Sequence, residues 1–549
     1  MDWHVSNSSF AINESEIWKK LENHQQQTKS LHMKDLFATD DKRFDKMHET
    51  IDGFMFDYSK NRITEETLSL LFELANTVDL SKWINKMKIG DKINVSENRR
   101  ALHYACRLPV NSELIIDGSN VVPDIHNILD AFLDFAENIR SGSLKGFTGE
   151  NFTDVVNLGI GGSDLGVRAL KHALFPYCSK KLKVHFVANV DYSDLAQTLE
   201  NLNPKTTLFI VSSKSFSSAE TIENAKSARE WILRDMPDTA LPYHFVAVTN
   251  NEKKAIEFGV SAENIFFVPN SVGGRFSSTS AVGLSLACAI GEKNFRQLLL
   301  GAHAMDKHFF NTPIEHNIPI LAALIAVWYN AFYRSHSQAI IPYHHGLRFF
   351  PQCIQQLDME SCGKRVSIHG KELNFDTSAI IWGQEGSNGQ HSFFQLLHQG
   401  SRLVPCDFII VVNDAYQNAR HQRMLVGNAI AQTLTLMKGV DEANLKALPN
   451  QEFLLTQKHL PGNRPSNTIM IEELNPYYLG MLLAMYEHKI FVQSVIFGVN
   501  AFDQWGVEQG KVCAKEINQE LNNNQIRHNY DSSTNAQLEF FLKHYKNNE

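Results

Sequence analysis

Cysteine is scarce in this sequence and lacks the spacings that mark metal sites or disulfide frameworks. The 549 residues contain seven cysteines, an odd number, widely separated and without a Cys-x-x-Cys pair. This distribution argues against zinc ribbons and disulfide-stapled folds. It favours reduced, packed thiols in a cytoplasmic enzyme.

Long apolar runs and a recognisable leader are also lacking. The most apolar stretch, residues 318–329, is followed within a few residues by Asn330 and Arg334, so it is too short to span a bilayer. The first ten residues, MDWHVSNSSF, have neither a basic region nor an apolar core, and we expect no signal peptide. We therefore expect a cytoplasmic protein with no membrane partner.

An excess of positive charge is missing as well. The formal net charge is −8, which disfavours nucleic acid as a partner. Any anionic ligand must then be held by backbone amides and a few chosen side chains. A hydrophobic content of 43% and a charged content of 20% are those of an ordinary globular protein.

Strands and helices alternate along most of the chain, which predicts α/β domains with mostly parallel sheets covered on both faces. The first series of predicted strands lies at residues 155–158, 183–189, 206–212, 244–250 and 264–270. The second lies at residues 338–344, 364–370, 378–383, 406–413 and 467–474. The predicted organisation is a helical N-terminal region, two α/β domains and a C-terminal helical arm, with bounds 1–115, 116–290, 291–505 and 506–549.

The first strand-to-helix turn, VVNLGIGGSDLG at residues 155–166, is rich in glycine. Gly162 allows a close approach of the backbone, and Ser163 and Asp164 are residue types that cap a helix. Exposed amides at a helix N-terminus suit a phosphate. Neither the Rossmann nor the Walker A spacing is satisfied, and a plain βα turn is the alternative.

The next such turn, in TTLFIVSSKSFSSAET at residues 206–221, is rich in serine. Ser213, Lys214, Ser215 and Ser218 place hydroxyls and a cation at a helix N-terminus. A single serine suffices for capping, so the cluster favours phosphate binding over an elaborate cap. Ligands of parallel sheets lie beyond the carboxyl ends of the strands, where both turns are expected.

Two later segments supply candidate chemistry. In residues 271–280, SVGGRFSSTS, Arg275 follows two glycines and could donate to an oxyanion, unless it is a surface arginine in a flexible turn. In residues 355–365, QQLDMESCGKR, Gln356 and Glu360 lie four residues apart on one helix face. A carboxylate beside an amide suits a general base.

Three further segments carry polar side chains with two readings each. Residues 387–400, SNGQHSFFQLLHQG, predict His391, Gln395 and His398 on one helix face, although a single histidine is often structural. Residues 502–511, FDQWGVEQGK, predict Gln504, Glu508 and Lys511 on one face, or a plain surface ion pair. Residues 93–107, INVSENRRALHYACR, are polar and basic enough to lie near an anionic site, or they form a solvated helix start.

Taken in order, six motifs of this chain resemble those of the glucose-6-phosphate isomerase family. They are NLGIGGSDLG, SSKSFSSAET, GGRFSSTSAVGL, QQLDMESCGK, GQHSFFQLLHQG and DQWGVEQGK, and the resemblance runs from about residue 50 to about residue 515. It implies two sugar-isomerase (SIS) domains, each a three-layer αβα sandwich. It also implies the reversible conversion of glucose 6-phosphate to fructose 6-phosphate.

The resemblance further implies a role for each matching residue. Glu360 would move a proton between C2 and C1 through a cis-enediol(ate), which Arg275 would stabilise. His391 and Lys511 would open the sugar ring, with His391 contributed by the partner subunit of a homodimer. The sugar phosphate would be held by Gly162, Ser163, Ser213, Lys214, Ser215, Ser218, Gly274, Gln356 and Gln504.

The chain departs from the family pattern at a few positions. Serine replaces threonine at 215, 217 and 218, which keeps each hydroxyl. Phe276 replaces tyrosine, and Leu357 and Cys362 replace glycine and asparagine beside the expected base, where they bear on rate or packing. The reaction moves no hydride, so we expect no cofactor and no metal.

Two other functions compete with the isomerase. A sugar-phosphate sensor on the same scaffold would have no need of Glu360, Arg275, His391 and Lys511, which are all present. An enzyme that transfers amide nitrogen to fructose 6-phosphate would need a glutaminase domain with a nucleophilic N-terminal cysteine. The second residue here is Asp2.

Overall fold

The computed structural model describes residues 11–440, 445 and 453–546. The expectations about a leader and about Asp2 lie outside these residues. The chain divides into two compact units, residues 1–501 and residues 502–549.

The strands lie in the first unit. In chain order they are β1 (His48–Ile51), β2 (Phe54–Asp57), β3 (Ile115–Ile116), β4 (Ser119–Asn120), β5 (Asp154–Leu158), β6 (Lys183–Val187), β7 (Thr207–Ser212), β8 (Phe245–Val248), β9 (Ile265–Phe266), β10 (Ser337–Tyr343), β11 (Ile380–Trp382), β12 (Cys406–Asn413) and β13 (Ser466–Glu473).

The helices of the first unit make up most of the rest of its regular structure. They are α1 (Glu16–Thr28), α2 (Met33–Thr39), α3 (Arg43–Lys46), α4 (Glu65–Thr77), α5 (Leu80–Lys88), α6 (Val122–Ser141), α7 (Leu165–Ala173), α8 (Tyr192–Leu199), α9 (Ala219–Leu233), α10 (Leu241–His244), α11 (Glu252–Phe258), α12 (Leu284–Ile290), α13 (Glu292–Asn311), α14 (Ile318–Val327), α15 (Phe350–Cys362), α16 (Gly386–Gln390), α17 (Phe394–Gln399), α18 (Ala419–Lys438), α19 (Phe453–Lys458) and α20 (Pro476–Phe497). The second unit contains α21 (Glu508–Asn522) and α22 (Ser532–His544).

One sheet is wholly parallel, with strand order β6-β5-β7-β8-β9. All residues of β5, β7 and β8 are buried, as expected for a parallel sheet that helices cover on both faces. Since β5 pairs directly with β7, with Leu158 opposite Val211, their carboxyl ends are neighbours. The glycine-rich and serine-rich turns therefore start side by side, as predicted.

The other large sheet has the order β1-β2-β13-β12-β10-β11, and β10 to β13 run parallel to their neighbours among themselves. The hairpin β1–β2 extends it with antiparallel strands. The expectation of a purely helical region over residues 1–115 is therefore wrong at this hairpin. Its two-residue turn, Asp52 and Gly53, has positive φ at both positions (47° and 77°), the signature of an Asp-Gly hairpin turn.

The strand predicted at residues 364–370 is wrong. The backbone amide of Ser367 donates to the carbonyl of Lys371 (2.8 Å), and Val366 forms only an isolated bridge with Glu372. The segment thus pairs with the residues that follow it in the chain and not with a strand of either large sheet. Its apolar residues Val366 and Ile368 are too few and too exposed to anchor a strand.

Helix α20 forms the centre of the first unit. Nearly all of its 22 residues are buried, and α13, α14 and α15 pack around it. A helix that is buried all round must be apolar or have its charges paired. Among the described residues, no helix combines the length and the apolar character that crossing a membrane requires.

The second unit consists of α21, α22 and their connection. Glu520 on α21 accepts hydrogen bonds from the Tyr530 hydroxyl (3.1 Å) and from the backbone amide of Arg527 (3.2 Å). These bonds tie the connection to α21. The predicted helical arm is thus a pair of helices joined by a polar segment.

Candidate active site

Helix α15 carries the candidate base. It begins with Pro351 near its start and ends at Cys362. Gln356 and Glu360 share one face as predicted, and Gln356 Nε2 donates to Glu360 Oε2 at 2.9 Å. Lys364 caps the helix, because its Nζ donates to the carbonyls of Glu360 (3.1 Å) and Ser361 (2.9 Å), where the helix dipole favours a cation.

Arg275 faces the same carboxylate from the opposite side. Its side chain is only 3% exposed, so it is not a surface arginine. Nη1 lies 3.3 Å from Glu360 Oε1, Nε donates to Ser361 Oγ at 2.7 Å, and Nη2 donates to the carbonyl of Ala501. One carboxylate oxygen of Glu360 thus faces an amide and the other faces a guanidinium.

The glycine-rich turn after β5 contacts both the segment that carries Arg275 and Gln356 on α15. A methyl group at Gly162 would lie 2.2 Å from the carbonyl carbon and oxygen of Gly274 and 2.6 Å from the backbone nitrogen of Arg275. A methyl group at Gly161, where φ is +59°, would lie 3.2 Å from Gln356 Nε2. Only glycine lets these backbones approach so closely, so the turn after β5 sits beside Arg275 and α15.

Neither Ser163 nor Asp164 caps α7 with its side chain, contrary to the sequence prediction. Asp164 is buried and its Oδ1 accepts from Arg168 Nε at 2.9 Å. Burial raises the pKa of Asp164, and Arg168 opposes that rise. The ion pair takes the aspartate away from the helix amides. Within the described chain, the Ser163 hydroxyl has no hydrogen-bond partner and is partly exposed.

In the serine-rich turn, Ser213 organises the backbone. Its Oγ accepts from the amides of Ser217 (3.3 Å) and Ser218 (3.4 Å), and it donates to the Ser218 hydroxyl at 3.2 Å. Phe216 has a positive φ of 49° and a buried ring, so a strained turn is held by packing. Ser215 and Ser217 hydroxyls lie 2.6 Å apart on the exposed side.

The ammonium of Lys214 points at backbone carbonyls, of which the nearest is Val272 at 3.0 Å. Burial, followed by the positive charge of Arg99, lowers the pKa of Lys214 to about 8. Arg99 therefore lies close enough to act on the serine-rich turn. The basic segment around residue 99, for which two interpretations were given, thus comes near the serine-rich turn, and its Leu102 N donates to the carbonyl of Ser271 at 2.8 Å.

His391 is not on one helix face with Gln395 and His398, and that prediction is wrong. The chain turns between α16 and α17, because the amides of His391 and Ser392 bond back to the carbonyls of Asn388 and Gly389. His391 is exposed, and within the described residues its imidazole has no hydrogen-bond or ion-pair partner. His398 has a structural bond to Gln432 Oε1 at 2.8 Å.

Gln504 and Lys511 belong to the second unit. Lys511 Nζ donates to Glu508 Oε1 at 2.7 Å, which is the surface pair given above as the alternative. Gln504 precedes a short 3₁₀ turn, Trp505–Val507, and so lies outside the helix of Glu508. The prediction that all three share one helix face is therefore wrong for Gln504.

Three of the residues that depart from the family pattern, Phe276, Leu357 and Cys362, pack in the core. Leu357 is 1% exposed and Cys362 is fully buried, with Sγ donating to the Ile490 carbonyl at 3.5 Å. Burial raises the pKa of the Cys362 thiol well above its usual value, so it is an inert packing residue. The Phe276 ring lies 4.8 Å from the ring of His103.

Behind the site lies a buried charged cluster that sequence reasoning missed. Arg107 Nη2 donates to Glu487 Oε2, and Arg107 Nη1 lies 3.6 Å from Asp306 Oδ1. Asp306 also accepts from His488 at 2.7 Å. Burial raises the pKa of Glu487 to about 7, against the opposing effect of Arg107. Ser361 was missed too, since no pattern marks a buried serine that contacts an arginine 86 residues away.

Comparison with known proteins decides the family. The family model described as phosphoglucose isomerase matches residues 57–538. The chain belongs to the phosphoglucose isomerase family. It is an aldose–ketose isomerase. Its mixed α/β fold with parallel sheets agrees with the fold class expected from the sequence.

Relatives match this chain over nearly its whole length. A protein of Chromobacterium violaceum described as glucose-6-phosphate isomerase 2 is 51% identical over 541 residues, 97% of this chain and 98% of the relative. Glucose-6-phosphate isomerase of Laribacter hongkongensis is 49% identical over 536 residues, 96% and 97% of the two chains. The crystal structure of a glucose-6-phosphate isomerase from Chlamydia trachomatis superposes with a TM-score of 0.85 at 30% identity, covering 97% of this chain and 100% of that one.

Proposed function

We propose that this protein interconverts D-glucose 6-phosphate and D-fructose 6-phosphate in glycolysis and gluconeogenesis, using the site around Glu360. The observation that carries the residue assignment is the Glu360 carboxylate, which lies between the Gln356 amide (2.9 Å) and the Arg275 guanidinium (3.3 Å). The glycine-rich and serine-rich turns, which are of the kind that binds anions, start beside each other at the carboxyl ends of β5 and β7. A sugar-phosphate sensor would not require a base, so it would not need a carboxylate held between an amide and a guanidinium.

Glu360 acts as the base that transfers a proton between C2 and C1. When the carboxylate takes the proton from C2, the negative charge passes to the enediolate. Arg275 then loses its attraction to Glu360 and pairs with the new oxyanion, so the guanidinium remains next to one negative charge throughout. A preorganised donor of this kind is worth roughly 3 to 4 kcal/mol, and a positioned base about 100-fold to 10,000-fold.

The phosphate is held by the two turns and does not react. Ser163, Ser213, Lys214, Ser215 and Ser218 supply hydroxyls and a cation, and the N-terminus of α9 supplies amides and a favourable dipole. Gly162 and Gly274 let the sugar approach the backbone, and Gln356 contacts it. The binding energy of the phosphate positions C1 and C2 beside Glu360.

Ring opening is assigned to His391 and Lys511, and Gln504 contacts the sugar. His391 is donated across a homodimer interface. This assignment is supported by the exposure of His391 and by exposed apolar side chains on the neighbouring α17 and α18, namely Leu396, Met424, Ile430 and Leu434, which a second subunit would cover.

We place the enzyme in the cytoplasm. All seven cysteines are free thiols, which suits a reducing compartment. Substrate and product are water-soluble anions that a cytoplasmic enzyme meets directly.

The test is turnover of fructose 6-phosphate by purified protein, with wild type compared with Glu360→Gln. The amide keeps the size of the side chain but cannot accept the proton, so turnover should fall about 100-fold to 10,000-fold. Glu372→Gln is the matched control, because Glu372 is an exposed carboxylate paired with Arg365 at 2.6 Å. Equal turnover of Glu360→Gln and wild type would remove Glu360 from the mechanism. Phosphosugar binding without turnover by wild type would favour the sensor.

A further inference from the structure

The backbone conformation at Arg275 does not explain the direction in which its side chain points. Arg275 lies in a short turn directly after Gly273 and Gly274, and glycine leaves a turn conformational freedom. The guanidinium is nevertheless buried and points at Glu360. Its direction must come from the groups that surround it.

Each nitrogen of the guanidinium has an acceptor. Nη1 faces Glu360 Oε1, Nη2 donates to the Ala501 carbonyl, and Nε donates to Ser361 Oγ at 2.7 Å. Among these acceptors Glu360 differs in kind, because it loses its charge when it takes the proton. A protonated carboxyl holds a guanidinium more weakly than a carboxylate does, so Glu360 cannot fix Arg275 at the moment when the enediolate forms.

Ser361 suits the task that Glu360 cannot perform. Its side chain is 0% exposed, so water does not compete for the hydroxyl. Its carbonyl accepts from Lys364 Nζ at 2.9 Å, which holds the last turn of α15 in place. Because Ser361 directly follows Glu360, the same helical turn sets the base and the direction of the arginine.

We propose that Ser361 is a positioning residue that holds Arg275 toward the enediolate while the charge of Glu360 changes. This inference rests on the proposed role of Arg275. Ser361 itself contacts neither the substrate nor the reacting proton.

The variants are Ser361→Ala, which removes the acceptor, and Ser361→Cys, which keeps the size of the side chain but replaces the hydroxyl with a weak acceptor. Ser285→Ala is the matched control. Ser285 is equally buried, on α12, and its hydroxyl has no hydrogen-bond partner in the described chain. The second replacement keeps the test decisive if the alanine variant does not fold.

The measurements distinguish recognition of the charge at the reacting carbons from recognition of the phosphate. They are kcat and KM for fructose 6-phosphate, and inhibition constants for two compounds. 5-Phospho-D-arabinonate has a carboxylate where the enediolate carries its charge. D-Glucitol 6-phosphate has the phosphate and is neutral at C1 and C2.

We expect both Ser361 variants to lower kcat about 10-fold to 100-fold, since a misplaced group at the reacting atoms costs up to about 100-fold, with KM within about twofold of wild type. Inhibition by phosphoarabinonate should weaken by a similar factor, and inhibition by glucitol 6-phosphate should not change. Ser285→Ala should match wild type in every measurement.

A kcat within about twofold of wild type, or equal weakening of both inhibitors, would overturn the role of Ser361. These outcomes leave the proposed function standing, because wild-type turnover and its loss in Glu360→Gln are measured separately. Failure of wild type to isomerise fructose 6-phosphate would instead overturn the proposed function.

Discussion

Gly162 and the carbonyl of Gly274 are in contact, so closely that a methyl group on Gly162 would lie 2.2 Å from the carbonyl atoms. Two segments more than a hundred residues apart are thereby fixed against each other: the turn after β5 and the turn that carries Arg275. The contact sets the distance between the glycine-rich turn, which we propose binds the phosphate, and Arg275.

Gly162→Ala should therefore force the two turns apart. We expect kcat/KM for fructose 6-phosphate to fall about 100-fold, since a displacement of about 1 Å at a reacting group costs that much, and thermal stability to fall as in other overpacked sites. Gly118→Ala is the control. A methyl group there meets nothing within 4 Å, and the φ of +85° costs an alanine about 1 kcal/mol of stability, so kcat/KM should not change. Full activity of Gly162→Ala would show that the turns can separate without harm.

The KM for fructose 6-phosphate should depend on pH through Lys214. Burial lowers the pKa of this lysine to about 8, so the ammonium is charged below pH 8 and loses its proton as the pH rises past 8. The phosphate then loses a cationic partner, and KM should increase by up to about tenfold between pH 8 and pH 9.

Lys214→Arg keeps its charge over this range and should abolish the increase. Lys60→Arg provides the comparison at another lysine whose pKa burial lowers and whose Nζ donates to Thr433, and there the increase should persist. A flat KM profile for wild type would remove Lys214 from phosphate binding.

Donation of His391 across a dimer can be tested with two inactive variants. We expect Glu360→Gln and His391→Ala each to be nearly inactive alone. In a mixed dimer one site carries both defects and the other is intact, so random mixing of equal amounts restores about a quarter of the wild-type sites.

Activity per site should thus reappear when the two variants are unfolded together and refolded, or co-expressed. Mixing Glu360→Gln with Arg275→Met serves as the control, because Arg275 lies beside Glu360 of the same chain. In that mixed dimer each site carries one of the two defects, unlike in the first mixture, and no activity should return. If activity does not return in the mixture of Glu360→Gln and His391→Ala, then His391 belongs to the site of its own subunit.

The buried pair Arg107–Glu487 should matter far more to stability than a surface pair. Arg107→Met leaves the Glu487 carboxylate buried without its partner, which typically costs about 3 to 5 kcal/mol. The measurement is the free energy of unfolding from denaturant titration. Arg365→Met breaks an exposed pair with Glu372 and should change stability by less than about 0.5 kcal/mol. Comparable effects of the two substitutions would contradict this reading of burial.

The fold was predictable where periodicity is long and failed where it is short. The parallel strands of both sheets and helices such as α6 and α15 follow from runs of apolar residues at regular spacing. The hairpin β1–β2 has four-residue strands in which only Phe54 and Phe56 are buried within β2, too little signal beside strong helical neighbours. Its Asp-Gly turn was the available clue.

The site divides in the same way. The spacing of Gln356 and Glu360 on a helix is local, so it could be read from the sequence. The contact of Arg275 with Glu360 and Ser361 joins distant segments and depends on how α15 packs, which no local pattern encodes. His391 was assigned to a regular helix because it has helical spacing with Gln395 and His398, yet backbone bonds of His391 and Ser392 to Asn388 and Gly389 turn the chain there.

The pairing of β2 with β13 bears on how the protein is made. Met55 lies opposite Met470, so at a ribosomal rate of about 5 to 20 residues per second the first strand waits roughly 20 to 80 seconds for its partner. Throughout that interval the nascent chain presents an unpaired strand edge, the kind that templates aggregation. Chaperone contact during translation is therefore expected to concentrate on this hairpin until the last strand emerges.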